Sequence, residues 1–151
     1  MRKSRILTVF LTIAVIFTMS FATVPAYAAS GTAITTADEL KAMENNPSGS
    51  YYLANDIEVP ANLSLFTDYD HPFTGTLDGN GHKIKGYTYT SSEEWLDEVA
   101  LFIWTKNATF KNLSMTDVNI SLNQAGSVAA LAATSVNCKF IDISVSGKIV
   151  G

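Results

Sequence analysis

From residue 49 onward the chain repeats one pattern: short apolar runs, each broken by a polar or glycine-rich turn. Residues 51–59 are rich in aromatic and branched side chains and stop at Pro60, which reads as a strand. Residues 73–77 read as a second strand, followed by the turn Asp78-Gly79-Asn80-Gly81. That turn requires positive φ, which glycine and asparagine tolerate. Residues 82–90 continue the β pattern through Ile84, Tyr87 and Tyr89, and residues 99–104 form a continuous apolar strand. Between them, 62–70 reads as a loop whose Leu63, Leu65 and Phe66 dip into the core, and 91–98 as an acidic surface loop carrying Trp95. One segment departs from this pattern. Thr36-Ala37-Asp38-Glu39 is a capping box, Leu40 and Met43 share a helical face, and Asn45-Asn46-Pro47 stops the element. The pattern predicts a helix over 37–45, preceded by a polar linker over 29–35.

The strand-like segments recur. Ile84-Lys-Gly-Tyr-Thr-Tyr89, Phe110-Lys-Asn-Leu-Ser-Met115 and Phe140-Ile-Asp-Ile-Ser-Val145 align with spacings of 26 and 30 residues (84 to 110, 110 to 140). Positions one, four and six are apolar in each, and position five is Ser or Thr. A period this long fits one solenoid coil of several strands, which must stack on its neighbours to bury its apolar face. The alignment predicts a hydroxyl ladder of Thr88, Ser114 and Ser144. There is chain for about three to four coils, near the minimum for a stable solenoid. The helix over 37–45 is expected to cover the N-terminal end. No cap is visible after Val145, and a bare last coil exposes apolar residues and an unpaired edge. The expectation is a chain that continues beyond residue 151, or one that associates through that end.

The N-terminus changes the compartment. Arg2, Lys3 and Arg5, the uncharged run 6–24, and Pro25-Ala-Tyr-Ala28 form a secretory signal with cleavage expected after Ala28. The alternative is an uncleaved anchor, since the run is long enough to span a bilayer. Either way, only this segment would contact a membrane. Without residues 1–28 the chain keeps 7 of 10 basic and all 14 acidic residues, a net charge of −7. Such a balance argues against nucleic acid or an anionic membrane surface as partner. Cys138 is the only cysteine, so no intramolecular disulfide forms, and its apolar flanks read as a small buried hydrophobe.

The succession Thr36–Leu40, Tyr52-Leu-Ala-Asn-Asp-Ile57, Phe73–Ile84, Leu101-Phe102, Ala108–Leu113 and Val145-Ser-Gly-Lys-Ile149 resembles the right-handed parallel β-helix of the pectin-lyase-like type. More narrowly it resembles the GLUG-repeat regions of bacterial surface proteins, which also lie ahead of the protease domain in the IgA-peptidase family. The resemblance runs over residues 34–151. It implies an all-β fold: a short parallel β-helix with an N-terminal capping helix, secreted or at the cell surface. Ala100, Ile103 and the 125–132 segment depart from the glycine pattern of those repeats. There is no His-Glu-x-x-His sequence, so the resemblance does not carry a zinc-peptidase activity to this chain.

Polysaccharide lyases of this fold use calcium-binding carboxylates and a basic residue. The corresponding candidates are Asp68, Asp70, Asp78 and His71, with Asp68 and Asp70 sharing a face if they lie on a strand. Lys83, Lys85, Lys106 and Lys111 are the available bases, and no arginine remains after residue 5. His82, Asp78 and Asn80 read as turn residues, and Asn112 and Asp142 as equivalent turn or ladder positions. The reading is therefore a non-catalytic module, with no catalytic, cofactor or metal residues assigned. Calcium and a carbohydrate-active enzyme stand as the alternative. Partners would be a protein or glycan ligand at the cell surface. Among the aromatics Tyr51, Tyr52, Tyr69, Tyr87, Tyr89, Trp95 and Trp104, the acidic loop makes Trp95 the expected exposed contact.

Overall fold

The computed structural model describes residues 30–93 and 95–150; the signal segment 1–28 lies outside them. The elements arrange in coils. First come β1 (Thr32–Ile34), the helix α1 (Ala37–Ala42) and a 3-10 turn (Met43–Asn45). Coil one holds β2 (Ser50–Leu53) and β3 (Ile57–Glu58). Coil two holds β4 (Thr76–Asp78), β5 (Lys83–Lys85), β6 (Thr88–Thr90), β7 (Leu96–Val99) and β8 (Phe102–Lys106). Coil three holds β9 (Thr109–Lys111), β10 (Ser114–Ser121), β11 (Ala125–Val128) and β12 (Ala132–Val136), and β13 (Lys139–Ile141) and β14 (Ser144–Val150) begin a fourth.

Every pairing between these strands is parallel and joins one coil to the next. The first face stacks β1-β2-β4-β9-β13, the second β3-β5-β10-β14 with β6 also on β10, and the third β7 on β11 and β8 on β12. This is a parallel β-solenoid with one short helix near its N-terminus.

Stacking places like residues above like, so the core is a set of columns. On the first face Tyr51, Leu77, Phe110 and Phe140 align, at spacings of 26, 33 and 30 residues (51 to 77, 77 to 110, 110 to 140). On the second face Ile57, Ile84, Met115 and Val145 align. Phenylalanines fill the centre: Phe73, Phe102 and Phe110 are fully buried, with ring centroids 5.1 to 5.6 Å apart. Burying each such side chain contributes about 1.5–3 kcal/mol.

These columns correct the register read from the sequence. Ser114 does lie on Ser144, their hydroxyls 2.6 Å apart. Ile84, however, sits under Met115 rather than Phe110, and Thr88 pairs with Asn119, so Thr88 is not in the hydroxyl ladder. The 26-residue spacing set Ile84 of the second face over Phe110 of the first, five residues short of its true partner Met115 (84 to 115 is 31). The coil-to-coil offset is also not constant. Coil two spends five residues at the corner after β4, from Asp78 to Lys83, where coil three spends three, from Lys111 to Ser114, so the offset is 33 on the first face (77 to 110) and 31 on the second.

The described part of the expected 29–35 linker, residues 30–35, is not a plain linker either. Thr32–Ile34 is a strand on β2, with Ile34 buried. Three residues carry too little pattern to reveal a strand; the pairing partner supplies it. Predicted continuous strands also break at solenoid corners: 51–59 divides into β2 and β3, 82–90 divides at Gly86 (φ 69), and 99–104 divides at Ala100-Leu101. The loop 91–98 is shorter than expected, because β7 begins at Leu96. The helix falls over 37–45 as predicted. Thr36 Oγ1 accepts from the Glu39 N–H at 3.1 Å. The Glu39 carboxylate returns to Thr35, accepting from its N–H and its hydroxyl at 2.6 and 2.7 Å. Leu40 and Met43 are fully buried and join the core. Among the described residues no helix is long and apolar enough to cross a membrane.

Candidate functional site

Two regions concentrate polar and aromatic side chains. The first is the corner between the first and second faces. Asp78, nearly buried, accepts from the Asn80 N–H at 2.9 Å and the Asn112 side-chain amide at 3.0 Å, and pairs with Lys111 Nζ at 3.0 Å. Burial pushes the Asp78 carboxyl up, but the bonds from Asn112, Lys111 and Asn80 outweigh it and leave its pKa lowered. Asn80 reaches back to the Leu53 carbonyl at 3.2 Å, so this corner ties three coils together. Asn80, Asn112 and Asp142 all have φ near +50° (51, 49 and 53°), the left-handed conformation that short polar side chains tolerate. The corner's chemistry is consumed in holding the turn.

The candidate lyase residues are placed apart from one another. Asp78 belongs to this corner, while Asp68, Asp70 and His71 lie in a loop, not on a strand. Asp68 Oδ1 accepts from the Asp70 N–H at 2.9 Å, and Asp68 Oδ2 lies 2.7 Å from His71 Nδ1. That contact raises the His71 pKa and lowers that of Asp68; both side chains are exposed. Among the described residues no group of three His, Cys, Asp or Glu is placed to hold a metal ion. His82 has an acidic neighbour that the sequence did not place: Asp56 Oδ1, 3.6 Å from Nδ1. Asp56 is shared with Lys85 Nζ at 3.3 Å and the Lys83 N–H at 3.1 Å. Burial raises the Asp56 pKa, and these partners more than reverse it. Cys138 is half-buried, its Sγ 3.5 Å from Thr105 Oγ1.

The second region lies on the third face. Leu65 bridges to Phe102 and Phe73 to Thr105. Those anchors are eight residues apart in coil one (65 to 73) but only three apart on β8 (102 to 105). The surplus chain must leave the wall of the solenoid. Its root is fixed by the Phe66 N–H, which donates to Glu44 at 2.8 Å, with Phe66 at φ 54°. Its tip carries Tyr69, 70% exposed, set edge-on to Trp104 with centroids 5.0 Å apart and planes at 89°. Trp104 lines two hollows. The larger, about 660 Å³, is also lined by Ser64, Thr67, Asp97, Glu98 and Ser127. The smaller, about 250 Å³, is also lined by Tyr69, Asp70 and Lys106. The pairing of Tyr69 with Trp104 escaped the sequence reading because Trp104 ends an apolar run and reads as core. Trp95 is exposed as expected, with its indole N–H on Asp97 at 3.2 Å, but it lines a different hollow beside Ile149 and Val150.

The fold is that of a parallel β-solenoid domain with an excursion on its third face. The family model for the M26 IgA1-specific metallo-endopeptidase N-terminal region matches residues 27–147, and the chain belongs to that family. No curated protein and no solved structure shows significant similarity to it.

Proposed function

We propose that this chain is an exported, non-catalytic β-solenoid module for interaction at a bacterial cell surface, the N-terminal part of a larger protein. The observation that carries this reading is the coincidence of the family match, over 27–147, with the solenoid itself. The family is defined by a region set at the N-terminus of a peptidase, and the described residues within the match build coils and corners. The polar network at the corner supports the same reading, because Asp78, Lys111 and Asn112 bind one another and the backbone. Among the described residues Phe140, Val145, Ile149 and Val150 are between 43 and 52% exposed, and β13 and β14 each pair on one side alone, an edge of the kind that takes up a further strand in an interaction.

The test is protease shaving of intact native cells, followed by immunoblotting with an antibody raised against the solenoid. The reading expects a surface-accessible species clearly longer than 151 residues. An intracellular species resistant to shaving would refute export, and a species of this length alone would refute the larger protein.

A further inference from the structure

We infer that the groove centred on Trp104 is a binding site for a neutral glycan. This rests on the surface-interaction reading and specifies its ligand. Trp104 lies at the junction of two adjoining hollows of about 660 and 250 Å³, a size suited to small-molecule or oligosaccharide segments. Tyr69 stands edge-on to the indole, which holds the ring in place from one side. An aromatic ring presents a negative face, and the C–H face of a pyranose ring stacks on it.

The walls supply the complementary polar chemistry. Glu98 Oε1 accepts from Thr134 Oγ1, one coil further on, at 2.6 Å, and Asp97 Oδ1 accepts from the Trp95 indole at 3.2 Å. Each carboxylate is thereby oriented, and neither makes a further hydrogen bond among the described residues. Their second oxygens are acceptors suited to sugar hydroxyls. The charge of the groove sets the class of sugar. Asp97 and Glu98 line the larger hollow with no basic residue, and Asp70 and Lys106 line the smaller one, so over the two hollows three carboxylates stand against one lysine and uronic or sialic acids would meet net repulsion. The excursion that carries Tyr69 exists only because its anchors are mismatched, eight residues against three. The solenoid core makes no use of its exposed tip.

The experiment uses the full exported protein on an array of neutral, acidic and amino-sugar oligosaccharides, followed by titration of tryptophan fluorescence with the best neutral binder. Saturable binding of a neutral glycan is expected. Tyr69→Ala, at an exposed position, should weaken it at least about tenfold, and Trp104→Ala should remove it. Tyr52→Ser, on the first face, should leave it unchanged. Absence of any neutral binder overturns the inference, as does preference for acidic glycans or for an oligolysine peptide added as a competitor. Neutral-glycan binding that survives both Tyr69→Ala and Trp104→Ala overturns the groove while leaving the surface-module reading intact. Failure of the shaving experiment would remove that reading itself.

Discussion

Replacing Asp78 tests whether the corner holds the coils together. Asp78→Ala removes a bond from the Asn80 N–H, one from the Asn112 amide and an ion pair with Lys111. Each hydrogen bond contributes about 0.5–1.5 kcal/mol net. The Lys111 side chain is one-third exposed, so its pair is discounted to at most about 1 kcal/mol. The expected loss is about 3 kcal/mol, a large share of a typical 5–15 kcal/mol stability. Asp78→Asn keeps one acceptor oxygen and should lose about 1–2 kcal/mol. Urea unfolding followed by circular dichroism measures both. The sign of the pH dependence follows from the lowered folded pKa of Asp78. A carboxylate with a depressed folded pKa stabilises fully above its unfolded pKa of about 3.9, and the contribution fades as pH falls through the folded value. The stability gap between the native chain and Asp78→Asn should therefore be constant from about pH 5 to 8 and close below about pH 4. Asp56 and Asp68 also have lowered pKa values, but they are present in both proteins and cancel. A cost for Asp78→Ala under about 0.5 kcal/mol would refute the argument, since even one such bond exceeds it. So would a gap that persists unchanged into strong acid.

Four further outcomes are expected. A Cβ at Gly79 would run into the Asn112 carbonyl oxygen, whereas Gly81 (φ +82) has open space around it. Gly81→Ala should cost about 1–2 kcal/mol for its backbone alone, and Gly79→Ala clearly more, as read by thermal denaturation. Tyr87 is fully buried and its hydroxyl has no well-aligned partner; burial pushes its pKa up, and the nearby Ser64 hydroxyl offsets only part of this. Tyr87→Phe should therefore be neutral or stabilising by up to about 1 kcal/mol, and a marked loss on urea unfolding would reveal a bond that the geometry lacks. Phe110→Ala opens the centre of the aromatic column and should cost about 3–5 kcal/mol on the same assay. Val145→Lys with Ile149→Lys, which puts charge at half-exposed positions stacked on the buried Met115 and Ile120, should reduce concentration-dependent association in sedimentation and also lower the melting temperature.

Much of this fold was legible because a solenoid writes its architecture locally. The capping box announced the helix over 37–45, and the Asp78-Gly79-Asn80-Gly81 turn announced a corner. Phe110 over Phe140 and Ser114 over Ser144 were visible because coils three and four share a 30-residue spacing there (110 to 140, 114 to 144). The Ile84 column was misread by five residues because the segments starting at Ile84 and Phe110 share a local pattern but begin on different faces, which cannot be seen without knowing which residues pair. Strand breaks at Gly86 and at Ala100-Leu101 were hidden for a related reason. The interior side of a corner stays apolar, so the hydrophobic run continues while the backbone turns. At the candidate site the individual aromatics were identifiable, but Tyr69 and Trp104 are 35 positions apart (69 to 104) and meet only through the mismatched anchors at Leu65 and Phe73.

That mismatch also explains where function can reside in such a molecule. Columns such as Tyr51, Leu77 and Phe110 must stay apolar and in register, so inward positions are fixed by packing. Corner residues such as Asn80 and Asn112 are fixed by their left-handed backbone and by Asp78. What remains free is chain that the coil does not need. The 66–72 excursion and the loop before β7 are two such stretches, and Tyr69 and Trp104 on one side and Asp97 and Glu98 on the other line one continuous region of the third face. Extra residues there leave the register of coil three undisturbed, since β8 still pairs with β12 from Phe102 to Lys106. A solenoid can therefore change what it binds by lengthening an excursion without re-solving its core, which makes the third face, rather than the polar corner, the place to look for a ligand.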